Sequence, residues 1–291
     1  MDILITGANG QLGSEIKDLS PLYKNFNFTF TDVNELDITN YEELGKFFSK
    51  KKFDCIINCA GYTAVDKAES EKEQAVLLNS TAVKYLAGYV SKLNALFVHI
   101  STDYVFDGRN FKPYLENDLT NPKSIYGKTK LDGEAEVIFN SQKAIIFRTS
   151  WLYSSFGNNF VKTIMKAAKE KGSLNVVNDQ IGNPTYAKDL AKAILDIIGG
   201  YKATSKFEIF NYSNEGVASW YDFAKEITEI AGIKCSITPV ETKDYPTPAA
   251  RPPYSVFNKT KIKKQFNITI PYWKDSLKEC IEKLNERENK K

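Results

Sequence analysis

Short apolar runs alternate with longer amphipathic stretches through the first half of the chain. Runs that are apolar at nearly every position predict strands buried on both faces, whereas apolar positions three and four apart predict helices that pack through one face. This alternation is typical of a parallel sheet covered by helices on both sides. The apolar runs lie at 2–7, 26–32, 53–60, 95–102 and 143–151, and the helical stretches lie at about 10–19, 40–50, 70–91 and 126–139.

The pattern becomes less regular after residue 151. We predict a doubly wound parallel sheet of the Rossmann type from residues 1–151, and a smaller, discontinuous substrate-binding domain made mainly from residues 152–291. Residues 188–213, a helix followed by a strand, are expected to return to the main sheet. The other predicted elements are helices at 158–170, 219–232 and 273–287, a strand at 175–179 and a proline-rich segment at 240–255.

Composition excludes several classes of protein. The net charge is +3 and the basic residues are scattered, which gives no electrostatic footprint for nucleic acid. No apolar run approaches the ~20 residues that a membrane helix needs, and the sequence begins directly with the first predicted strand rather than with a secretion signal. We therefore expect a cytoplasmic protein with neither nucleic acid nor a membrane as a partner.

His99 is the one histidine of the sequence and lies in an apolar run. A Ser-His-Asp triad, a Cys-His pair or a histidine-rich zinc site would have to use it. A histidine in a buried strand is more often a packing residue. Acid–base chemistry is therefore expected to use another side chain, and tyrosine is the obvious candidate.

Three glycines join the first predicted strand to the first predicted helix. Gly7, Gly10 and Gly13 form the pattern G-x-x-G-x-x-G within ITGANGQLG. Glycines here let the backbone turn tightly and approach a pyrophosphate, which the positive end of the helix then holds. Because this loop opens a β-α-β unit at the start of the chain, it predicts a dinucleotide site.

An acidic residue ends the second predicted strand. Asp32 follows the third glycine by 19 residues, where a carboxylate can bind a ribose 2′-hydroxyl and favour NADH over NADPH. Asp37 and Ile38 could either cap the next helix or lie against adenine. Gly61 and Thr63 follow the third strand, at the edge of the sheet where ligands of such folds bind.

Two Tyr-x-x-x-Lys pairs occur, Tyr126/Lys130 and Tyr221/Lys225, each spanning one helical turn. The chain has 16 tyrosines, and its 39 Lys and Arg include only four arginines, so chance alone predicts about two such pairs. Context separates them. The first pair opens the helix beside the fourth strand, whose carboxyl end faces the ligand crevice, whereas the second lies in a helix with ordinary packing periodicity.

Tyr126 and Lys130 are therefore the candidate catalytic residues. An ammonium beside the phenol would favour the phenolate and make the tyrosine a usable acid near neutral pH. The fourth strand ends with Ser101 and Thr102, and either hydroxyl could donate a hydrogen bond to a substrate oxygen.

These motifs resemble the extended short-chain dehydrogenase/reductases and, within them, the dTDP-4-dehydrorhamnose reductase family. The glycine loop and YxxxK are shared across the superfamily, whereas TAVDKAE, STDYVFDG and DQIGNPT are much more specific. The resemblance covers nearly the whole chain, from ITGANGQLG to the late ARPPYS. It implies reduction of the 4-keto group of dTDP-4-dehydro-L-rhamnose by NADPH or NADH, in dTDP-rhamnose and polysaccharide biosynthesis.

The resemblance also implies roles for individual residues. Tyr126 would donate the proton, with Lys130 as its partner and as a ligand of the nicotinamide ribose. Thr102 and Asp103 would contact the hexose, with Trp151 beside it. The implied cofactor contacts are Gly10, Gln11 and Leu12 at the pyrophosphate, Asp32, Asp37 and Ile38 at the adenosine half, and Gly61, Tyr62 and Thr63 further along.

Arg251 lies in the proline-rich segment PAARPPYS, where a substrate lobe would close over the sheet edge. Its planar guanidinium fits phosphate oxygens in a way that lysine does not reproduce. Pro252 and Pro253 would stiffen the loop, so less order is lost on binding. We expect Arg251 to bind the diphosphate of the substrate; the alternative is an ion pair with a surface carboxylate.

The sequence departs from the family pattern at two places. Gly61 stands where alanine is common, and SVFN follows ARPPY where a Leu-Asp pair is usual. Some members of the family bind magnesium through glutamates at a dimer contact. Only Glu15 can be matched to these glutamates, so we predict no metal site. A homodimer remains possible.

Two other functions are open. One is a reductase or epimerase of another nucleotide sugar, and the other is a non-catalytic regulatory subunit resembling that of methionine adenosyltransferase.

Overall fold

The chain alternates strands and helices throughout the part that this computed structural model describes, residues 1–203 and 205–288. The strands are β1 (Asp2–Thr6), β2 (Asn27–Thr31), β3 (Cys55–Asn58), β4 (Leu96–Thr102), β5 (Ala144–Thr149), β6 (Leu152–Tyr153), β7 (Ser173–Val177), β8 (Ile181–Gly182), β9 (Thr185–Tyr186), β10 (Phe207–Asn211), β11 (Ala218–Ser219) and β12 (Ser236–Val240). The α-helices are α1 (Gln11–Leu19), α2 (Tyr41–Lys50), α3 (Lys72–Val76), α4 (Ala82–Lys92), α5 (Ile125–Asn140), α6 (Phe160–Lys171), α7 (Ala187–Gly200), α8 (Trp220–Ile230), α9 (Thr260–Phe266) and α10 (Trp273–Glu288).

Six of the strands form one parallel sheet in the spatial order β2-β1-β3-β4-β5-β10. Alternate side chains face opposite sides, so Ile3 and Ile5 pack with α1 and α7, whereas Leu4 packs with α2, α4 and α5. The winding direction changes between β1 and β3, which is the switch point where doubly wound folds bind ligands. The predicted doubly wound α/β fold is confirmed.

The edge strand β10 comes from the second half of the chain. Residues 207–211 pair in parallel with residues 144–148 of β5, and α7 packs against α1. These are the helix and strand expected within 188–213. The division of the chain at residue 151 into two domains stays a prediction, and residues 204 and 289–291 of its second range lie outside the described residues.

The helices α6, α8 and α10, with the parallel strand pair β7 and β12, surround a separate apolar core that we call the C-terminal lobe. Phe223 and Trp273 are buried at its centre. Helix α8 starts with a capping box between Ser219 and Asp222, which is the start predicted from Ser219. None of the helices in the described residues is both long and apolar enough to cross a membrane.

Several elements differ from the sequence prediction, which contained neither β12 nor α9. The helix expected at 70–91 consists of α3 and α4 joined by a π-helical turn, Leu77–Thr81, which is wider than an α turn. The strand expected at 143–151 ends at Thr149. The reason is Trp151, whose φ of +47° is left-handed and cannot continue a strand.

Candidate active site

The glycine-rich loop between β1 and α1 closes tightly on the loop that follows β3. Gly7 has a φ of +65°, and a Cβ there would lie 2.6 Å from the backbone nitrogen of Ala60. A Cβ on Gly13 would lie 2.5 Å from the carbonyl oxygen of Gly7. Only glycine fits this turn. The close packing leaves Gly10 and Gln11 at the start of α1 facing the carboxyl edge of the sheet.

Two neighbouring cavities, of about 550 and 370 Å³, lie along this edge. Gly10, Cys59, Ala60 and Gly61 line both, so the cavities meet over the glycine loop. This backbone cradle between two cavities fits an extended dinucleotide with a second molecule at one end. The larger cavity is also lined by Gln11, Leu12, Thr63, Thr102, Asp103, Tyr126, Lys130 and Trp151, and the smaller one by Gly7, Asp32, Asp37 and Ile38.

The smaller cavity carries two carboxylates. Asp32 Oδ2 accepts a hydrogen bond at 2.8 Å from a backbone N–H of the glycine loop, so Asp32 also holds that loop. Asp37 Oδ1 accepts hydrogen bonds from the backbone N–H and the hydroxyl of Thr39, at 2.9 and 2.7 Å. The cap of α2 is Asn40, and Asp37 and Ile38 line the cavity instead of capping that helix.

Tyr62 points towards Glu71 rather than into either cavity, and its hydroxyl donates to the Glu71 carboxylate at 2.5 Å. Its backbone is held by Asn79 in the π-helical turn, whose amide accepts from the Tyr62 N–H at 2.8 Å and donates to the Tyr62 carbonyl at 3.1 Å. Asn79 thereby supports Gly61, which lines both cavities. No pattern in the sequence pointed to Asn79, because helical periodicity does not reveal a π turn.

Helix α5 carries Tyr126 and Lys130 into the larger cavity. Its first turn is set by Ser124, whose side chain accepts from the Gly127 N–H at 3.1 Å. Thr102, at the end of β4, lines the same cavity, and its hydroxyl lies beside the Tyr126 phenol. The start of α5 and the end of β4 therefore bring three of the predicted residues, Tyr126, Lys130 and Thr102, into one cavity.

Burial dominates the acid–base properties of the pair. It raises the pKa of Tyr126 to about 12, partly offset by the nearby Thr102 hydroxyl. Burial also lowers the pKa of Lys130 to about 8. The buried Lys130 ammonium donates at 2.5 Å to the carbonyl oxygen of Ile100 on β4. Its contact with the phenol stays a prediction. Because the pKa of Tyr126 is about 12, the phenol keeps its proton at neutral pH.

Asp103 is a buried carboxylate that lines the larger cavity. Its Oδ1 accepts from the Thr102 hydroxyl at 3.0 Å, whereas its Oδ2 has no hydrogen-bond partner among the described residues. Burial raises the pKa of Asp103 to about 6, against the opposing effect of the nearby Ser255 and Thr102 hydroxyls. A buried acceptor without a partner is a place where a ligand hydroxyl can bind.

Ser101, the alternative to Thr102, also lines the larger cavity, but its hydroxyl already has a partner. Its hydroxyl donates at 2.5 Å to Glu134, which forms a bidentate ion pair with Arg148 at 2.7 and 2.9 Å. Both ionic side chains are almost fully buried, and the pair ties α5 to β5. The negative charge of Glu134 opposes the lowering of the Lys130 pKa. The pair was not predicted from the sequence, although the position of Glu134, one helical turn beyond Lys130, is a signal that could have found it.

Trp151 and Arg251 have different surroundings. Trp151 lines the larger cavity, where its indole stacks on that of Trp220.

Arg251 forms a bidentate ion pair with Asp66, at 2.7 and 2.9 Å, and donates to the carbonyl oxygen of Ala249 at 2.8 Å. This is the carboxylate pairing that the sequence left open, and the expected diphosphate contact stays a prediction.

Two further residues considered from the sequence lie away from the cavities. Tyr221 packs against the core of the C-terminal lobe. Glu15 is buried in α1, where it accepts from the Ser154 hydroxyl at 2.5 Å and from the Lys283 ammonium at 3.3 Å. Within residues 1–203 and 205–288, no group of three or more His, Cys, Asp or Glu is arranged to hold a metal ion.

A doubly wound sheet with a glycine loop at its switch point, and a Tyr-x-x-x-Lys pair beside the end of β4, defines an oxidoreductase of the short-chain dehydrogenase/reductase type. The chain belongs to the family described as RmlD substrate binding domain, whose sequence model matches residues 1–286. This confirms the family resemblance found in the sequence.

Individual relatives match over almost their full length. The dTDP-4-dehydrorhamnose reductase of Aggregatibacter actinomycetemcomitans is 40% identical over 284 residues, which is 95% of this chain and 97% of the relative. A solved dTDP-4-dehydrorhamnose reductase of Clostridium acetobutylicum is 46% identical, with a TM-score of 0.92 over 98% of this chain and 100% of its own. The Bacillus anthracis reductase, solved in complex with NADP, is 38% identical, with a TM-score of 0.91 over 97% and 99% of the two chains.

Proposed function

We propose that the protein reduces the 4-keto group of dTDP-4-dehydro-L-rhamnose to give dTDP-L-rhamnose. Family membership supports this substrate, because several relatives that match this chain over nearly their whole length are named dTDP-4-dehydrorhamnose reductases. The observation that carries the proposal lies in the chain itself: the Tyr126 phenol and the Thr102 hydroxyl share a cavity that continues over the glycine loop.

NADPH or NADH is the proposed cofactor and, when bound, supplies the hydride. The solved relative in complex with NADP supports this choice, as does the tight backbone turn at Gly7 and Gly13. The pyrophosphate would lie at the start of α1, where the positive end of the helix favours it. The proposed contacts are Gly10, Gln11 and Leu12 at the pyrophosphate, Asp32, Asp37 and Ile38 at the adenosine, and Gly61, Thr63, Tyr126 and Lys130 towards the nicotinamide. Tyr62, whose side chain points to Glu71, would contribute through its main chain.

Tyr126 would donate the proton in this reaction. With a pKa of about 12 its phenol is protonated at neutral pH, which suits an acid rather than a base. Thr102 would hold the carbonyl oxygen of the substrate against the phenol. As that oxygen gains negative charge, the proton would pass to it from Tyr126 Oη. Lys130 would stabilise the resulting phenolate while its ammonium is charged, below about pH 8.

Three residues are proposed to hold the substrate. Asp103 Oδ2 would accept a hydrogen bond from a hexose hydroxyl, because it lines the cavity and has no partner among the described residues. The Trp151 indole would lie beside the hexose. Arg251 would bind the diphosphate by exchanging one or both of its contacts with Asp66. A cytoplasmic location and a homodimer remain predictions from the sequence.

The test is a reaction of the purified protein with dTDP-4-dehydro-L-rhamnose and either NADH or NADPH, followed by NMR of the product. We expect dTDP-L-rhamnose in amounts equal to the cofactor oxidised. A UDP-linked 4-keto-6-deoxyhexose serves as the comparison substrate. Higher kcat/KM for the UDP sugar would indicate a reductase of another nucleotide sugar. Cofactor binding without turnover of either sugar would indicate a regulatory subunit.

A further inference from the structure

Two stacked indoles form one wall of the larger cavity. Trp151 follows β5 at the carboxyl edge of the central sheet, whereas Trp220 begins α8 in the C-terminal lobe. Their ring centroids are 3.5 Å apart and their planes differ by 6°. Phe160 of α6 contacts the Trp220 ring with a centroid distance of 4.6 Å. The wall therefore joins the central sheet to the C-terminal lobe beside the cavity.

The Trp151 backbone is held in a conformation that a bulky residue rarely adopts. Its φ of +47° lies in the left-handed region, which is strained for such a side chain. The Trp151 carbonyl accepts from the Thr185 N–H at 3.2 Å. The indole also lies against Gly182, where a Cβ would come within 2.7 Å of the Trp151 Cε2 atom. Such a strained residue persists only where its surroundings determine its position.

We propose that Trp220 is a positioning residue for the substrate. By stacking on Trp151, it holds that indole at a fixed distance from Tyr126 and Thr102, and so sets where C4 of the sugar lies. This inference rests on the proposed function. A flat apolar indole suits the C–H face of a 6-deoxyhexose, whose hydroxyls then turn towards polar groups such as Asp103. A misplacement of ~1 Å can lower a rate by about 10²-fold, so Trp220 affects turnover without touching the reacting atoms.

The first experiment compares wild-type protein with Trp220→Phe and Trp220→Ala. We expect Trp220→Ala to lower kcat/KM for dTDP-4-dehydro-L-rhamnose by about 10- to 100-fold, with the KM for NADH within twofold of wild type. Trp220→Phe keeps a flat ring and should restore most of the loss. If Trp220 had a purely structural role, Trp220→Ala would impair kcat/KM for the sugar and the KM for NADH together. Tyr221→Phe, at the neighbouring position of α8, is the matched control and should behave like wild type.

Far-ultraviolet circular dichroism reports the stack itself, because the strong transitions of two coupled indoles give a paired band that both Trp220 variants should lose. Gly182→Ala provides an independent route, since it displaces the Trp151 indole and leaves Trp220 unchanged. We expect Gly182→Ala to impair use of the sugar in the same way, which keeps the test decisive if Trp220→Ala does not fold.

The outcomes separate this inference from the proposed function. Unchanged sugar kinetics in Trp220→Ala, or in Gly182→Ala if Trp220→Ala does not fold, together with loss of the paired band would overturn the role of Trp220, while wild-type turnover would still support the proposed function. A wild-type protein that does not reduce the sugar would overturn both.

Discussion

At the scale of single residues, Tyr126 carries the proposed proton transfer. Its ring packs edge-to-face on Tyr104, with a centroid distance of 5.4 Å, so Tyr126→Phe keeps the packing and removes only the hydroxyl. We expect kcat to fall by about 10²–10⁴-fold, which is the usual effect of a lost general acid. The affinities for cofactor and sugar should stay close to wild type. Steady-state kinetics and isothermal titration measure the two effects.

Tyr221→Phe is the control for this variant, because Tyr221 heads the other Tyr-x-x-x-Lys pair and packs against the core of the C-terminal lobe. Its turnover should equal that of wild type. Full activity of purified Tyr126→Phe would show that another group donates the proton.

Asp103 should give the protein a measurable dependence of stability on pH. Its folded pKa of about 6 lies above the ~3.9 of an unfolded chain, so the folded state binds the proton more tightly. The stabilisation is therefore complete below about pH 4 and is lost as the pH rises through 6, with a total of about 3 kcal/mol. Urea unfolding at pH 4, 5, 6 and 7 should show this decline in wild type relative to Asp103→Asn. A constant difference between the two proteins would contradict it.

Asp32 should influence the choice between the two cofactors. A carboxylate can accept a hydrogen bond from a ribose 2′-hydroxyl but repels a 2′-phosphate, so Asp32→Ala should raise the KM for NADH more than that for NADPH. Because Asp32 also holds the glycine loop, part of the loss should be common to both. Kinetics with each cofactor decide the point. Equal losses would make Asp32 a residue of the loop alone.

At the scale of elements, the ion pair of Arg251 and Asp66 ties the proline-rich segment to the loop after β3. The neighbouring guanidinium holds the pKa of Asp66 below its usual range. We expect Arg251→Lys to raise the KM for the nucleotide sugar about tenfold, because a charge-assisted phosphate contact is worth ~1.5–3 kcal/mol and lysine lacks the planar fork. The KM for the cofactor should change much less.

Asp66→Asn distinguishes a phosphate contact from a purely structural link. It weakens the ion pair while leaving the guanidinium available, so it should affect binding of dTDP less than Arg251→Lys does. Isothermal titration with dTDP measures both variants. Unchanged dTDP affinity in Arg251→Lys would show that this arginine does not hold the diphosphate.

At the scale of the whole molecule, Glu15 of α1 and Lys283 of α10 join the central sheet to the C-terminal lobe. Glu15 is fully buried, while the Lys283 side chain is 19% exposed and also contacts Asp18 at 2.7 Å. Lys283→Met would leave the Glu15 carboxylate buried without its cation. The cost lies between the ~1 kcal/mol of an exposed pair and the ~3–5 kcal/mol of a buried one, so we expect a loss of about 2–3 kcal/mol in the free energy of unfolding.

The same substitution at Lys278, an exposed residue of the same helix, is the matched control and should change stability by less than ~0.5 kcal/mol. Urea unfolding of both variants gives the comparison. Equal stability of Lys283→Met and Lys278→Met would mean that solvent or another residue replaces the lysine at Glu15.

The sequence by itself determined the features that depend on neighbouring positions along the chain. Apolar periodicity is a property of consecutive residues, which is why the strands of the parallel sheet and most helices were predictable. The glycine loop was also predictable from neighbouring positions, because a side chain at Gly7 or Gly13 would clash with nearby backbone. His99 is buried as expected of a histidine within an apolar run.

Only the tertiary structure decided which distant groups meet. Arg251 and Asp66 are 185 positions apart, and Trp151 and Trp220 come from different elements, so no local pattern pairs them. Lys130 illustrates the physical reason. Its place one turn after Tyr126 was evident from the sequence, but a buried ammonium takes whichever acceptor the fold brings near, and packing of α5 on β4 brings the carbonyl oxygen of Ile100.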